Sequence, residues 1–256
     1  MTPSLFDTYR ATHQQGFIPI FVRDDFDTRT LLEACLAAGL RVIEYTLRRG
    51  DCRQAIAAIR RDHPELIVLA GSTIDHAGFV AQLRPRHPQL MSVDELAAAG
   101  VHGFVSQLPW TAASLARWSA THLVCPYADS LVAGFHQLVA GAHFIKMTGP
   151  SLDAIRQAHS PPTFGLMPLF VTGGQTPATI GATVDAGAHL IASGFDLMLR
   201  DVPPASLTAS KVADVLRTHV AAVHEARARA YPDLRQDPDA PRGQWLASLP
   251  HVHPFG

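Results

Sequence analysis

Residues 165–194 read GLMPLFVTGGQTPATIGATVDAGAHLIASG. Two short apolar runs, GLMPLFV and AHLIASG, bracket a polar Gly-Gly turn and a segment of helical character that stops at Ala-Gly. A near-continuous apolar run suits a strand covered on both faces of a parallel sheet, and glycine just past a helical segment supplies the left-handed stop. The stretch therefore reads as one strand–helix–strand unit.

The same grammar repeats outward in both directions. FIPIFV (17–22), RVIEYTL (41–47), LIVLAGS (66–72), VHGFVSQ (101–107), HLVCPYA (122–128) and HFIKMTG (143–149) each precede a helical pattern, and the helices close on LAAGL, LAAAGV, LVAGAH and VDAGAH. A last helix is predicted over SLTASKVADVLRTHVAAVHEARARA. Eight alternating units predict a single (β/α)8 barrel, the TIM-barrel architecture, over residues 1–229. An open doubly wound sheet is the weaker alternative, because no Gly-x-Gly-x-x-Gly follows the first strand. Residues 230–256, rich in Pro, Asp and Arg, show no period and form a C-terminal extension. Such a tail is either unstructured or docked through Trp245, Leu246, Leu249 and Phe255.

With 256 residues and 47% hydrophobic content, the chain can bury one large core. A formal net charge of −1 gives no reason to expect nucleic acid or an anionic membrane as partner. The N-terminal segment lacks the apolar run of a signal peptide, and no segment is long enough to span a bilayer. Cys35, Cys52 and Cys125 show neither disulfide nor metal spacing, as expected for reduced thiols in the cytoplasm. The fourteen histidines are dispersed, with His251 and His253 as the one close pair, expected to be solvated in the tail.

Only two of the 21 basic residues are lysines, Lys146 and Lys211. Lys146 sits inside the apolar run HFIKM. Burial disfavours an ammonium, and the neutral amine can attack a ketone to form an iminium. The competing reading is a surface lysine paired at a strand end. Glu44, Thr46 and Arg48 alternate along the second strand and share one face, opposite Ile43, Tyr45 and Leu47. Turned inward, they would set an acid–base carboxylate and a carboxylate-binding guanidinium beside Lys146; the same residues also suit a structural ion cluster. Thr172, Gly173 and Gly174 after strand seven, with Ser193 and Gly194 after strand eight, have the character of an anion cradle.

These residues, in this order from about 17 to 200, resemble the 2-keto-3-deoxy-6-phosphogluconate (KDPG) and 4-hydroxy-2-oxoglutarate (KHG) aldolase family. The Glu-x-Thr-x-Arg signature falls on Glu44, Thr46 and Arg48. The Schiff-base lysine falls on Lys146, the strand-three Gly-x-Gly-Thr on Ala70–Thr73, and the Thr-Gly-Gly motif on Thr172, Gly173 and Gly174. The resemblance implies a metal-free class I aldolase that needs no cofactor beyond a covalent iminium on Lys146. Glu44 would be the general acid/base, Arg48 and Thr73 would hold the carboxylate of a 2-keto acid, and Gly173 and Gly174, with Ser193 and Gly194, would hold a distal phosphate. It also implies a homotrimer. Against the family pattern, Lys146 is followed by Met147-Thr148-Gly149 in place of an aromatic and proline, strand four ends in Ser106-Gln107, and strand five loses its Thr and Glu. A phosphosugar epimerase or synthase, with Lys146 as an electrostatic clamp, and a non-catalytic 2-keto acid binding barrel are the alternatives.

Overall fold

A computed structural model describes residues 3–255. Among these residues, eight parallel strands are paired in the order β5-β4-β3-β2-β1-β8-β7-β6. They are β1 (Phe17–Phe21), β2 (Val42–Thr46), β3 (Ile67–Gly71), β4 (Gly103–Val105), β5 (Leu123–Cys125), β6 (Ile145–Thr148), β7 (Leu169–Thr172) and β8 (Leu190–Gly194). A parallel bridge between Tyr127 and Lys146 closes the ring, with Lys146 N donating to Pro126 O at 2.8 Å and Ala128 N to Lys146 O at 3.0 Å. The (β/α)8 barrel expected from the repeat is therefore the observed fold.

Alternation sorts the strand residues into two cores. Ile18, Ile20, Val42, Leu69, Val105, Phe144, Phe170 and Leu190 fill the barrel interior. Phe17, Phe21, Ile43, Tyr45, Val68 and Val171 face outward against the helices. Those helices include α2 (Thr28–Ala37), α3 (Cys52–Asp62), α4 (Ala77–Leu83), α5 (Val93–Ala98), α6 (Ala112–Trp118), α7 (Leu131–Val139), α8 (Leu152–His159), α9 (Pro177–Asp185) and α11 (Ala209–Ala230). The expected glycine stops are present: Gly39, Gly100, Gly141 and Gly187 all have positive φ. Among the described residues, no helix is long and apolar enough to cross a membrane.

Two elements beyond the repeat plug the N-terminal end of the barrel. One is α1 (Leu5–Gln15), started by a capping box between Ser4 and Asp7 and stopped by Gly16. Its Tyr9 stacks on Phe144 at the foot of β6, ring centroids 4.9 Å apart. The other is the C-terminal extension with α12 (Arg242–Ala247), whose Trp245 is fully buried in the interior cluster. Arg10 ties the two together by donating to Pro238 O (2.6 Å) and Ala240 O (2.8 Å). His251 is not solvated as its place in the tail led us to expect. It is buried beneath the barrel with Nε2 3.1 Å from His13 Nε2, because the tail folds back under the strands.

Candidate active site

Lys146, on β6, and Glu44, on β2, point into the barrel from opposite sides. Lys146 Nζ lies 3.3 Å from Glu44 Oε1, and each side chain is 1% exposed. The strand pattern explains this: Phe144 and Lys146 alternate inward while Ile145 and Met147 pack outward. The amine also sits 5.6 Å from the centre of the Phe170 ring on neighbouring β7. Removing one partner of such a pair leaves a buried charge uncompensated. The Glu44 Oε2 oxygen accepts no hydrogen bond from the protein, so one carboxylate oxygen remains free to take and return a proton.

Gly71, at the end of β3, makes room for the pair. A Cβ there would overlap the Glu44 carboxylate and lie 2.9 Å from both Glu44 Cγ and Thr46 Cγ2. Gly71→Ala is expected to push Glu44 off Lys146. Since misplacement by about 1 Å can cost on the order of 10²-fold in rate, turnover should fall by that order while circular dichroism stays that of the folded barrel. Unchanged turnover would remove Gly71 from the site. The next residue, Ser72, has φ 61°, a left-handed conformation that favours glycine. This is a position at which the KDPG/KHG pattern carries glycine.

Cys125 shares the interior layer with the pair. Burial pushes its thiol well up, with Lys146 and Glu44 contributing opposite, smaller effects. It therefore stays a neutral thiol.

Above this layer the C-terminal strand ends enclose a cleft of about 320 Å³. Its walls include Arg48, Thr172, Gly173, Gly174, Ser193 and Gly194, so six of the sequence-predicted residues meet there. Gly173 and Gly174 have φ 82° and 69°, and a Cβ on Gly173 would come within 2.9 Å of Gly149 N. The close approach lets Gly149 N–H donate to Thr172 O at 2.8 Å, joining the loops after β6 and β7. Ser193 Oγ is committed to Gln175 O at 2.9 Å. A larger groove of about 660 Å³ lies between α2 and α3 on the outer surface. Its lining belongs to α2, α3 and their ends, whereas the smaller cleft lies at the strand ends and includes Thr148, two residues beyond Lys146 on β6, so the smaller cleft is the candidate site.

Other sequence-predicted residues are placed differently. Thr73 is buried, its hydroxyl donating to Val105 O at 3.1 Å, and it does not line the cleft. The Thr46 hydroxyl likewise donates to a backbone oxygen, that of Phe21, at 2.8 Å. Arg48 is exposed at the mouth; the buried guanidinium is its neighbour Arg49. Arg49 pairs with Asp51 at 3.0 Å and donates to Arg23 O and Phe26 O, pinning the loop after β1. Three polar cleft residues escaped the sequence reading as site residues. Thr148 and Gln107, two of the departures from the family pattern, are joined by a 2.7 Å hydrogen bond across the ends of β6 and β4. Asp196, in the short helix α10 (Phe195–Met198), was signalled only by an acid two residues beyond Gly194. Among the described residues, no group of three or more His, Cys, Asp or Glu side chains could hold a metal ion.

No family model and no curated protein sequence matches the chain. Solved structures do. The 2-keto-3-deoxy-6-phosphogluconate aldolase of Zymomonas mobilis ZM4, solved with 3-phosphoglycerate, is 22% identical and superposes with a TM-score of 0.64. The match covers 85% of this chain and 97% of that one. The barrel resembles those of the KDPG aldolases. The KDPG aldolase of Legionella pneumophila, solved with pyruvate captured as a covalent carbinolamine, is 16% identical, with a TM-score of 0.60 over 85% of this chain and 98% of its own. The thiamine phosphate pyrophosphorylase of Pyrococcus furiosus also superposes, at 12% identity and a TM-score of 0.58 over 83% and 98% of the two chains. At these identities the likeness establishes a shared fold, and function has to be argued from the site.

Proposed function

We propose that the chain is a class I aldolase that cleaves a 4-hydroxy-2-keto acid to a 2-keto acid, such as pyruvate, and an aldehyde. The observation that carries this reading is the Lys146–Glu44 pair, 3.3 Å apart inside the barrel, beneath a cleft bearing Arg48. Transfer of the ammonium proton to Glu44 frees the amine to attack the ketone carbon. The carbinolamine then loses water to give an iminium, with Glu44 relaying the protons. The iminium draws the electrons of the breaking C3–C4 bond as a base takes the C4 hydroxyl proton, so an aldehyde leaves and an enamine remains. Protonation at C3 and hydrolysis release the keto acid and restore the amine.

Arg48 suits the substrate carboxylate, since a guanidinium can bind it through two parallel hydrogen bonds. Thr73 has its hydroxyl committed to Val105 O, so Arg48 takes this role without it. Thr148 lies two residues above Lys146 on the same face of β6 and, hydrogen-bonded to Gln107, forms part of the cleft wall over the amine. A homotrimer and a cytoplasmic location belong to the same proposal. The test is a coupled assay of pyruvate release over a panel of 4-hydroxy-2-keto acids, with and without a terminal phosphate. Turnover of at least one that is lost in Lys146→Ala is the expected result. Equal turnover by the variant would leave Lys146 without a covalent role, activity that survives borohydride treatment in the presence of substrate would favour the clamp role of a phosphosugar epimerase or synthase, and no turnover of any would favour a binding barrel.

A further inference from the structure

The cleft above Lys146 carries a negative charge on the side where the family resemblance puts a phosphate. Asp196 lines it together with Gly173, Gly174, Ser193 and Gly194. An ideal Cβ on Gly194 would overlap Asp196 Oδ1, so the carboxylate folds back over the end of β8 rather than out along the surface. Among the described residues Asp196 makes no ion pair and no hydrogen bond, and neither does Arg48. Arg48 is the one cationic side chain among the cleft's lining residues. Of the cleft's hydroxyls, Ser193 Oγ donates to Gln175 O and Thr148 Oγ1 to Gln107 Oε1, which leaves that of Thr172 as the one uncommitted hydroxyl donor among the described residues.

A phosphate dianion bound beside Gly174 would therefore face a carboxylate with no second cation to offset the repulsion. A carboxylate accepts hydrogen bonds and donates none, which suits the hydroxyl groups of a sugar chain. The backbone serves the same ligand: neither the Gly173 nor the Gly174 N–H finds an acceptor among the described residues. We infer that the substrate is an unphosphorylated polyhydroxylated 2-keto acid, with Arg48 on its carboxylate and Asp196 and the Gly173–Gly174 amides on its distal hydroxyls. This rests on the aldolase reading and narrows it: the glycine loop is retained, and its ligand is a hydroxyl chain instead of a phosphate.

Gluconate and 6-phosphogluconate carry the carboxylate and the two alternative distal ends without a ketone, so neither can react with Lys146. Titration calorimetry of the full chain should show gluconate binding roughly tenfold or more tightly than 6-phosphogluconate. Asp196→Asn keeps the shape and removes the charge, and should shift that ratio at least tenfold toward 6-phosphogluconate. Tighter binding of 6-phosphogluconate to the wild type, an unchanged ratio in Asp196→Asn, or binding of neither probe would each overturn the inference. The aldolase reading is tested separately by covalent trapping of pyruvate, so the two can fail independently.

Discussion

Lys146→Met is expected to lose turnover by on the order of 10⁴-fold or more, because the covalent route has no other amine to use. Lys211, the second lysine, is exposed on α11 with Nζ 3.3 Å from Ser206 O, far from the strand ends in the interior. Glu44→Gln should behave differently. It keeps the volume and removes the proton acceptor, so the rate should drop by about 10²–10⁴-fold while an adduct with pyruvate still forms slowly. Stability must be separated from chemistry in both variants. Removing one member of a buried ion pair typically costs about 3–5 kcal/mol because the other charge is stranded, whereas a neutral, well-packed pair is often no worse than the ionic one. The double variant Lys146→Met with Glu44→Gln should therefore recover most of the urea midpoint lost in Lys146→Met and remain inactive. If stability and turnover recovered together, the pair would be scaffolding.

Acid should unfold the barrel from below. Arg227 Nη2 donates to His13 Nδ1 at 2.9 Å, His13 and His251 share a hydrogen bond at 3.1 Å, and His251 Nδ1 lies 2.8 Å from Val252 O. One neutral tautomer set satisfies every link: His13 donates from Nε2, and His251 accepts at Nε2 and donates from Nδ1. Burial, with Arg227 adding its charge, holds His13 well below the usual imidazole range, and burial does the same for His189. Burial also pushes His251 and His143 down to about 4.

A lowered pKa in the folded state means that the unfolded chain binds more protons. Stability from these groups is therefore intact above about 6.5 and is lost as the pH falls toward about 4. Each shift of this size is worth on the order of 3 kcal/mol, against a total of about 5–15 kcal/mol for a domain. The urea midpoint should drop steeply between pH 6.5 and 4, and His251→Gln should flatten that slope relative to wild type. A midpoint that stays level across this window would show that these histidines are protonated without penalty in the folded chain.

The strands and the Lys146–Glu44 pair were legible because their signals are local. An apolar run, a glycine stop and a lysine inside HFIKM can each be read within a few residues, and alternation put Glu44 on one face with Thr46 and Arg48, opposite Ile43, Tyr45 and Leu47. What sequence did not show depends on contacts far apart along the chain. His251 looks solvated in the tail until it meets His13 from the other end of the chain and His189 at the foot of β8. Tyr9 and Trp245 likewise pack together only once α1 and the extension close the barrel floor. Thr73 matched the family pattern, yet its hydroxyl turned to Val105 O. Arg48 and Arg49 are adjacent, and only the fold decides that Arg49 is buried in the β1 loop while Arg48 stands in the cleft. Thr148 and Gln107 read as two separate departures, but in space they are one hydrogen bond.

The most direct measurement is reductive trapping. The protein is incubated with pyruvate and borohydride, digested, and its peptides weighed. One reduced pyruvate on the peptide containing Lys146, absent from the peptide containing Lys211 and slower to form in Glu44→Gln, is the expected result. No adduct across a range of pH and 2-keto acids, or an adduct on Lys211 alone, would contradict an interior amine that does covalent chemistry.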